Sequence, residues 1–321
     1  MKLVTFRHST AQHLGVLVDG NVIDLSAAGG GDPAFSSMLA FAKAGDAALD
    51  RAVSISRQAE EGSNGVDQLV RFSLDQVRLL APIPRPEKNV YCVGLNFRSH
   101  VEQNAVALGL PSDIPTTPLF FSKPVTAVIG PGDPIVCDAR LTEKLDYEVE
   151  LAVVIGKGGT WIPPAKVHEH ILGFTLLNDV SARDLQWRTS QFLFGKGQDT
   201  YCPIGPVIVT RDELGSLDSV LLELYVNREC RQRESAGNML FPPEVAIAEL
   251  SKGITLEPGD VISLGTPGGC GYQLQPPRFL QPGDVVECRA SVIGSLVNPV
   301  MAAQDQALDV SGTNTTTRTE D

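Results

Sequence analysis

The chain has 321 residues, 43% of them apolar, and carries 26 Lys and Arg against 38 Asp and Glu, for a net charge of -12. The length and apolar share support one large domain with a smaller one. The charge balance argues against a nucleic-acid groove, because the basic residues between Arg183 and Lys196 are too interspersed to form one. A local cationic pocket for a small acid fits them better, and without 18 uninterrupted apolar residues or a leader-like start the chain is expected to be cytoplasmic and free of membrane spans.

In chain order, KLVTFR, LGVLVDG and NVIDL read as strands, with a hairpin turn at Asp19–Gly20. Residues 34–62 read as helical, interrupted at Gly45. VDQLVRFSLDQVRLLAP then reads as a short strand pair, and APIPRP at 81–86 as a stiff linker. The expected division is a small N-terminal α+β domain over 1–78, a catalytic domain over 83–300, and a disordered tail over 301–321. With 30 glycines and 22 prolines, the larger domain shows short apolar runs between turns, a mostly β pattern with short helices. Two helices are expected there, one following Asn96 as far as Leu108 and one from Pro243 to Ser251. PGD recurs at 131–133, 258–260 and 282–284, each time before a strand, and reads as turn punctuation. The six cysteines include no CxxC pair, which gives neither a zinc pattern nor a disulfide scaffold and suggests buried thiols.

The strand LDYEVELAVVIG holds the chemistry-bearing pattern. Side chains two apart in a strand share a face, so Glu148 and Glu150 point together, away from Tyr147, Val149 and Leu151. Paired carboxylates repel unless something positive lies between them, and oxygen ligands suit magnesium, manganese or calcium. Asp179 ends the apolar run GFTLLND and can be aimed into the same space. The same pattern also fits the wet face of a half-exposed sheet. Lys196, between two glycines, and Lys123, ending FFSK, can each reach a carboxylate or an enolate, or lie on the surface. Gly265–Gly269 form a turn whose N–H groups could face an anion, or a purely structural turn. His100 is a candidate general base at the start of a helix, or a solvated capping residue.

Taken together, GLNFRSH at 94–100, FFSKP at 120–124, LDYEVELAVVIG at 145–156, GFTLLNDVSARDLQ at 173–186, GKGQDTYCPIGP at 195–206 and LEPGDVISLGTPGG at 256–269 resemble the fumarylacetoacetate hydrolase family in its short bacterial form. The resemblance implies a β-roll core, a homodimer, and Mg2+ or Mn2+ held by Glu148, Glu150 and Asp179. It also implies Lys196 beside the metal, Thr266 near the substrate carboxylate, and small 2-oxo or 2,4-dioxo acids as substrates. The expected reaction is C–C hydrolysis of an acylpyruvate-type acid through a metal-stabilised enolate. The alternative is isomerisation or decarboxylation of a 2-hydroxy-dienedioate or its 2-oxo form. A protein that kept the fold and lost the chemistry is the competing class, and the intact acidic set argues against it.

One departure bears on this choice. Hydrolytic relatives orient the histidine with a Glu three residues on; here Gln103 stands at that position and Glu102 one earlier. Residues i and i+2 of a helix do not face each other, so either Gln103 supports His100 without charge or Glu102 reaches it through a distorted turn. Arg98, Lys123 and Arg188 are the candidate anion binders.

Overall fold

The computed structural model describes residues 1–61 and 69–303. The three PGD segments show how turns frame its strands. Gly132, Gly259 and Gly283 all have positive φ (77°, 93° and 98°), which glycine adopts without a Cβ penalty. In each turn the aspartate side chain closes back on the residue before the proline: Asp133 accepts from Gly130 N at 2.8 Å, Asp260 from Glu257 N at 2.9 Å, and Asp284 from Gln281 N at 2.8 Å. The strands Ile135–Cys137, Val261–Ser263 and Val285–Ala290 follow.

A 12-stranded sheet organises the molecule. At its centre the acidic strand Val149–Ile155 lies antiparallel to Ile171–Asn178 on one side and Val261–Ser263 on the other. Beyond the latter come Val90–Gly94 and Leu119–Lys123. On the opposite flank Cys202–Thr210 leads to the N-terminal strands, because Lys2 pairs with Val209 and Leu3 with Ile208. The N-terminal strands therefore extend the same sheet. The expected strand pair after residue 66 is not a pair: Arg71–Ser73 joins Asn21–Asp24, and Arg78–Leu79 joins Lys2–His8, while residues 66–68 lie outside the described residues. A five-stranded sheet, with Leu221–Val226 and Val285–Ala290 inside it, packs against the large one.

Both faces of the central strands are covered. Val149, Leu151 and Val153 share a core with Leu222, Leu224 and Val286 of the second sheet. Ala152 and Val154 face the other core, which includes Phe41, Ala52 and Ile55 from the helices Met38–Ala44 and Asp46–Glu61. Alternation thus sorts side chains between two cores, so the acidic strand is buried throughout and the half-exposed alternative does not apply.

The fold is mixed α/β with a sheet-rich core and an N-terminal helical segment. The strand order is an open path, so a closed roll is not seen among the described residues. The helix after Asn96 spans Arg98–Leu108 and ends on Gly109 in the left-handed conformation (φ 65°). The other expected helix spans Pro243–Leu250. Strand Gly294–Ala302 enters the segment read as tail; residues 304–321 lie outside the described residues. Of the cysteines, Cys230 is exposed and Cys137 half-buried, whereas the other four are buried as expected. Among the described residues, no helix is long and apolar enough to cross a membrane.

Candidate metal centre

Strand register assembles the acidic cluster. Val149 pairs with Asn178, which sets Glu148 beside Asp179; Asp179 N donates to Glu148 O at 2.9 Å, and Glu148 N donates to the Asn178 side chain at 3.0 Å. Oxygen atoms of Glu148, Glu150 and Asp179 come within 4.8 Å of one another, and all three residues are buried. A fourth carboxylate, Asp146, lies under them and accepts from Gly271 N at 2.7 Å and Tyr272 N at 3.1 Å.

Three buried cations answer these four acids. Lys196 Nζ donates to Glu148 and to Asp179, both at 2.7 Å. Lys123 Nζ donates to the other Asp179 oxygen and, at 3.0 Å, to Val180 O. Arg183 donates to Asp146 at 2.9 Å and to Gln186 at 3.0 Å, lies 2.6 Å from a Glu148 oxygen, and stacks over the Tyr272 ring at 4.4 Å. Burial alone would neutralise such groups; around Glu148 the charges of Arg183 and Lys196 outweigh it and hold the carboxyl well below its usual range. Conversely, Asp179 and Glu148 overcome burial and keep Lys196 an ammonium.

Glu150 is the exception. Its hydrogen-bond partners are neutral, the Ser263 hydroxyl and, at 3.1 Å, Gly265 N. Burial and the charges of Asp179 and Glu148 push it up to about 8. A buried carboxylate in a cluster of oxygen donors, without a cation of its own, fits a hard divalent ion.

A cavity of about 220 Å³ opens over this cluster, lined by His100, Arg183, Lys196, Thr266 and Tyr272 together with apolar side chains. A depression of about 370 Å³ beside Asp138 and Arg140 is larger, and among the described residues it has no carboxylate cluster able to hold a metal. Two turns place the polar groups. Lys196 ends the short helix Leu193–Lys196, where a methyl on Gly195 would meet the Gln186 backbone at 2.5 Å and one on Gly197 would meet Pro124 at 2.7 Å. Thr266 accepts from Gln232 Nε2 at 2.9 Å, and Gln232 Oε1 accepts from Val149 N at 2.9 Å, which ties this turn to the acidic strand.

The structure brings together Glu148, Glu150, Asp179, Lys196, Thr266 and His100. Lys123, expected to bind substrate, instead clamps Asp179 from behind and is fully buried. Arg98 and Arg188 are exposed and do not line the cavity. The backbone N–H groups of Gly265, Gly268 and Gly269 are taken by Glu150, Ser99 and Gln103, so they are not open to an anion.

His100 is buried, and neither expected supporter reaches it. Glu102 is exposed, as helical spacing dictates, and the Gln103 amide oxygen accepts from Gly269 N at 2.8 Å. His100 Nδ1 instead faces Gln273 Nε2 at 3.2 Å and Cys270 Sγ at 3.7 Å. Burial, aided by Arg183 and Lys196 against the opposing pull of Glu148, lowers the ring to about 4 and keeps it neutral. Asp146, Arg183, Gln232, Cys270 and Gln273 were not singled out from the sequence. Period two extended back one step from Glu148 marks Asp146; no local signal marks Gln273.

Carboxylates, ammonium groups and a neutral imidazole line a small cavity whose carboxylate cluster could hold a divalent cation. The chain belongs to the fumarylacetoacetate hydrolase family: the pattern described as fumarylacetoacetate (FAA) hydrolase C-terminal matches residues 89–301. It is 44% identical over 254 residues to oxaloacetate tautomerase YisK of Bacillus subtilis (strain 168), covering 78% of this chain and 83% of that one. It is 39% identical over 308 residues to a mitochondrial oxaloacetate tautomerase of Homo sapiens, covering 94% and 92%. Among solved structures, maleylpyruvate hydrolase from Sphingobium sp. SYK-6, in complex with manganese(II) and pyruvate, is 28% identical with a TM-score of 0.75, covering 95% of this chain and 100% of that one.

Proposed function

We propose that this protein is a divalent-metal-dependent tautomerase that interconverts the keto and enol forms of a small 2-oxo acid of the oxaloacetate kind. The observation that carries the reading is that, among the described residues, no carboxylate hydrogen-bonds to His100, although an acidic cluster lies beside it. C–C hydrolysis needs water activated by a base, and a buried histidine without a carboxylate partner to stabilise its imidazolium is poorly equipped for that. Tautomerisation needs no attacking water. The likeness to oxaloacetate tautomerases supports the same choice, so the alternative reaction class is favoured over the hydrolysis first expected.

Glu148, Glu150 and Asp179 would hold Mg2+ or Mn2+, which supplies a Lewis acid for a 2-oxo carbonyl. Lys196 spends two of its three N–H donors on Glu148 and Asp179, which leaves one for a substrate oxygen. In an enolising acid the C–H proton would pass to water in the open cavity as charge builds on the oxygen, and a fixed ammonium there stabilises that charge until the oxygen is protonated. Thr266 accepts from Gln232, which leaves its own O–H to donate into the cavity.

The test follows enol absorbance of oxaloacetate with Mg2+ or Mn2+, with mass detection of pyruvate alongside. Metal-dependent acceleration of the keto–enol exchange, abolished by chelation and lowered about 100-fold in Lys196→Met, is the expected result. Release of pyruvate as the main product, or no acceleration, overturns it.

A further inference from the structure

A neutral imidazole carries its hydrogen on one nitrogen, and the partner of the other nitrogen decides which. At His100 that partner is the Gln273 side chain, and its orientation is set from the far end. Gln273 Oε1 accepts from Cys270 N at 3.1 Å and, at 3.0 Å, from the Gly269 N–H that it shares with Gln103 Oε1. Reversing the amide would point its NH2 group at two backbone N–H groups, so the oxygen must stay there. The atom 3.2 Å from His100 Nδ1 is therefore the amide nitrogen, which donates and cannot accept. Its other neighbours, His100 O at 3.3 Å and the Tyr272 hydroxyl oxygen at 3.2 Å, are acceptors. That hydroxyl sends its own hydrogen to Asn104 Oδ1 at 3.0 Å. A hydrogen on Nδ1 would face the amide donor head-on, with only the weakly accepting Cys270 sulfur, at 3.7 Å, to turn to.

We infer that Gln273 is a positioning residue that keeps His100 Nδ1 as an acceptor, so that the ring hydrogen sits on Nε2 and His100 meets substrate as a hydrogen-bond donor. No described residue hydrogen-bonds to Nε2, and His100 lines the cavity. An N–H at that atom can bond an enol or enolate oxygen. It cannot, at the same nitrogen, take a proton from water or from the substrate carbon, so the carbon proton would leave to solvent. A carboxylate on Nδ1 would hold the opposite imidazole tautomer, with a free lone pair on Nε2, and that is the form hydrolysis needs. The inference rests on the tautomerase reading for the reaction it serves, but the position of the hydrogen is a property of the resting protein.

The test uses full-length protein labelled with 15N-histidine, metal-free and with Mg2+. Long-range proton–nitrogen correlation reports which ring nitrogen carries hydrogen, and the His100 signal is identified by its loss in His100→Gln. The expected result is hydrogen on Nε2. Gln273→Glu keeps an oxygen for the two backbone N–H groups and offers a second one to Nδ1. It should move the hydrogen to Nδ1 and lower kcat about 100-fold, with far less change in KM. A role confined to holding the loop would move neither the tautomer nor kcat in this isosteric variant. Hydrogen on Nδ1 in the wild type, or an unchanged tautomer and kcat in Gln273→Glu, overturns the inference. If the hydrogen lies on Nε2 while no 2-oxo acid is tautomerised, the positioning stands and the proposed reaction falls.

Discussion

The two walls of the cavity are built on opposite principles. The sheet wall is saturated with charge: four carboxylates and three cations, all buried, each ion except Glu150 paired with an opposite charge. The helix wall is neutral, an imidazole held between an amide and a thiol. Under the proposed reaction, charge on the first wall would receive a metal and a developing enolate. Neutrality on the second decides what the histidine can and cannot do with a proton. On the proposed reading, the difference teaches that a metal centre alone does not define a reaction, and that the uncharged groups opposite it choose among the reactions the metal permits.

The most damaging way to break the contrast is to remove a charge from the sheet wall. Asp179 neutralises both Lys123 and Lys196. Asp179→Asn leaves two buried ammonium groups underpaired, and denaturant unfolding should show a loss of about 3–5 kcal/mol. Calorimetric titration should show metal binding lost with it. Near wild-type stability in this variant would mean that the buried network matters far less than its geometry implies.

A gentler probe uses pH, because the two walls respond with opposite sign. Glu150 is raised from 4.5 to about 8, so its contribution is present below 4.5 and is lost as pH rises through 8. His100 is lowered from 6.5 to about 4, so its contribution is present above 6.5 and is lost as pH falls through 4. Between 4.5 and 6.5 the slopes oppose; above 6.5 only that of Glu150 remains. Metal-free protein should therefore lose about 2 kcal/mol between pH 6.5 and 8. Saturating Mn2+, which replaces the proton on Glu150, should flatten that limb of a Tm–pH curve. A limb equally steep with and without metal would remove Glu150 from the metal site.

The smallest effect sharpens the neutral wall. Glu102→Ala changes an exposed side chain that does not reach His100. Stability should shift by less than about 0.5 kcal/mol, and kcat should stay unchanged. A clear fall in kcat would restore Glu102 as the partner of His100.

The same division marks what the sequence made legible. Period two put Glu148 and Glu150 on one face, and the turn chemistry of PGD and Asp19–Gly20 was readable because it is local. That both faces of the acidic strand are buried was not readable, since it depends on a second sheet contributed by residues far along the chain. Lys123 illustrates the same limit: its place in the sequence suggested reach, but direction was decided by packing behind Asp179. The partner of His100 lies 173 residues away, beyond any helical spacing rule, so attention fell on Glu102 and Gln103 instead. Local rules recover Glu148 and Glu150 of the charged wall; the places of Asp146, Arg183 and Lys123, and the whole neutral wall, are made by tertiary contact.

The clearance around Lys196 has a practical consequence. Its flanking glycines leave no room for even a methyl, against Gln186 on one side and Pro124 on the other. A library randomised at 195 and 197 and selected for turnover should return glycine at both, while the lysine between them would look like the residue under selection. The two missing side chains act as a gauge: they set how far the ammonium protrudes, and no change of charge elsewhere can reset that length.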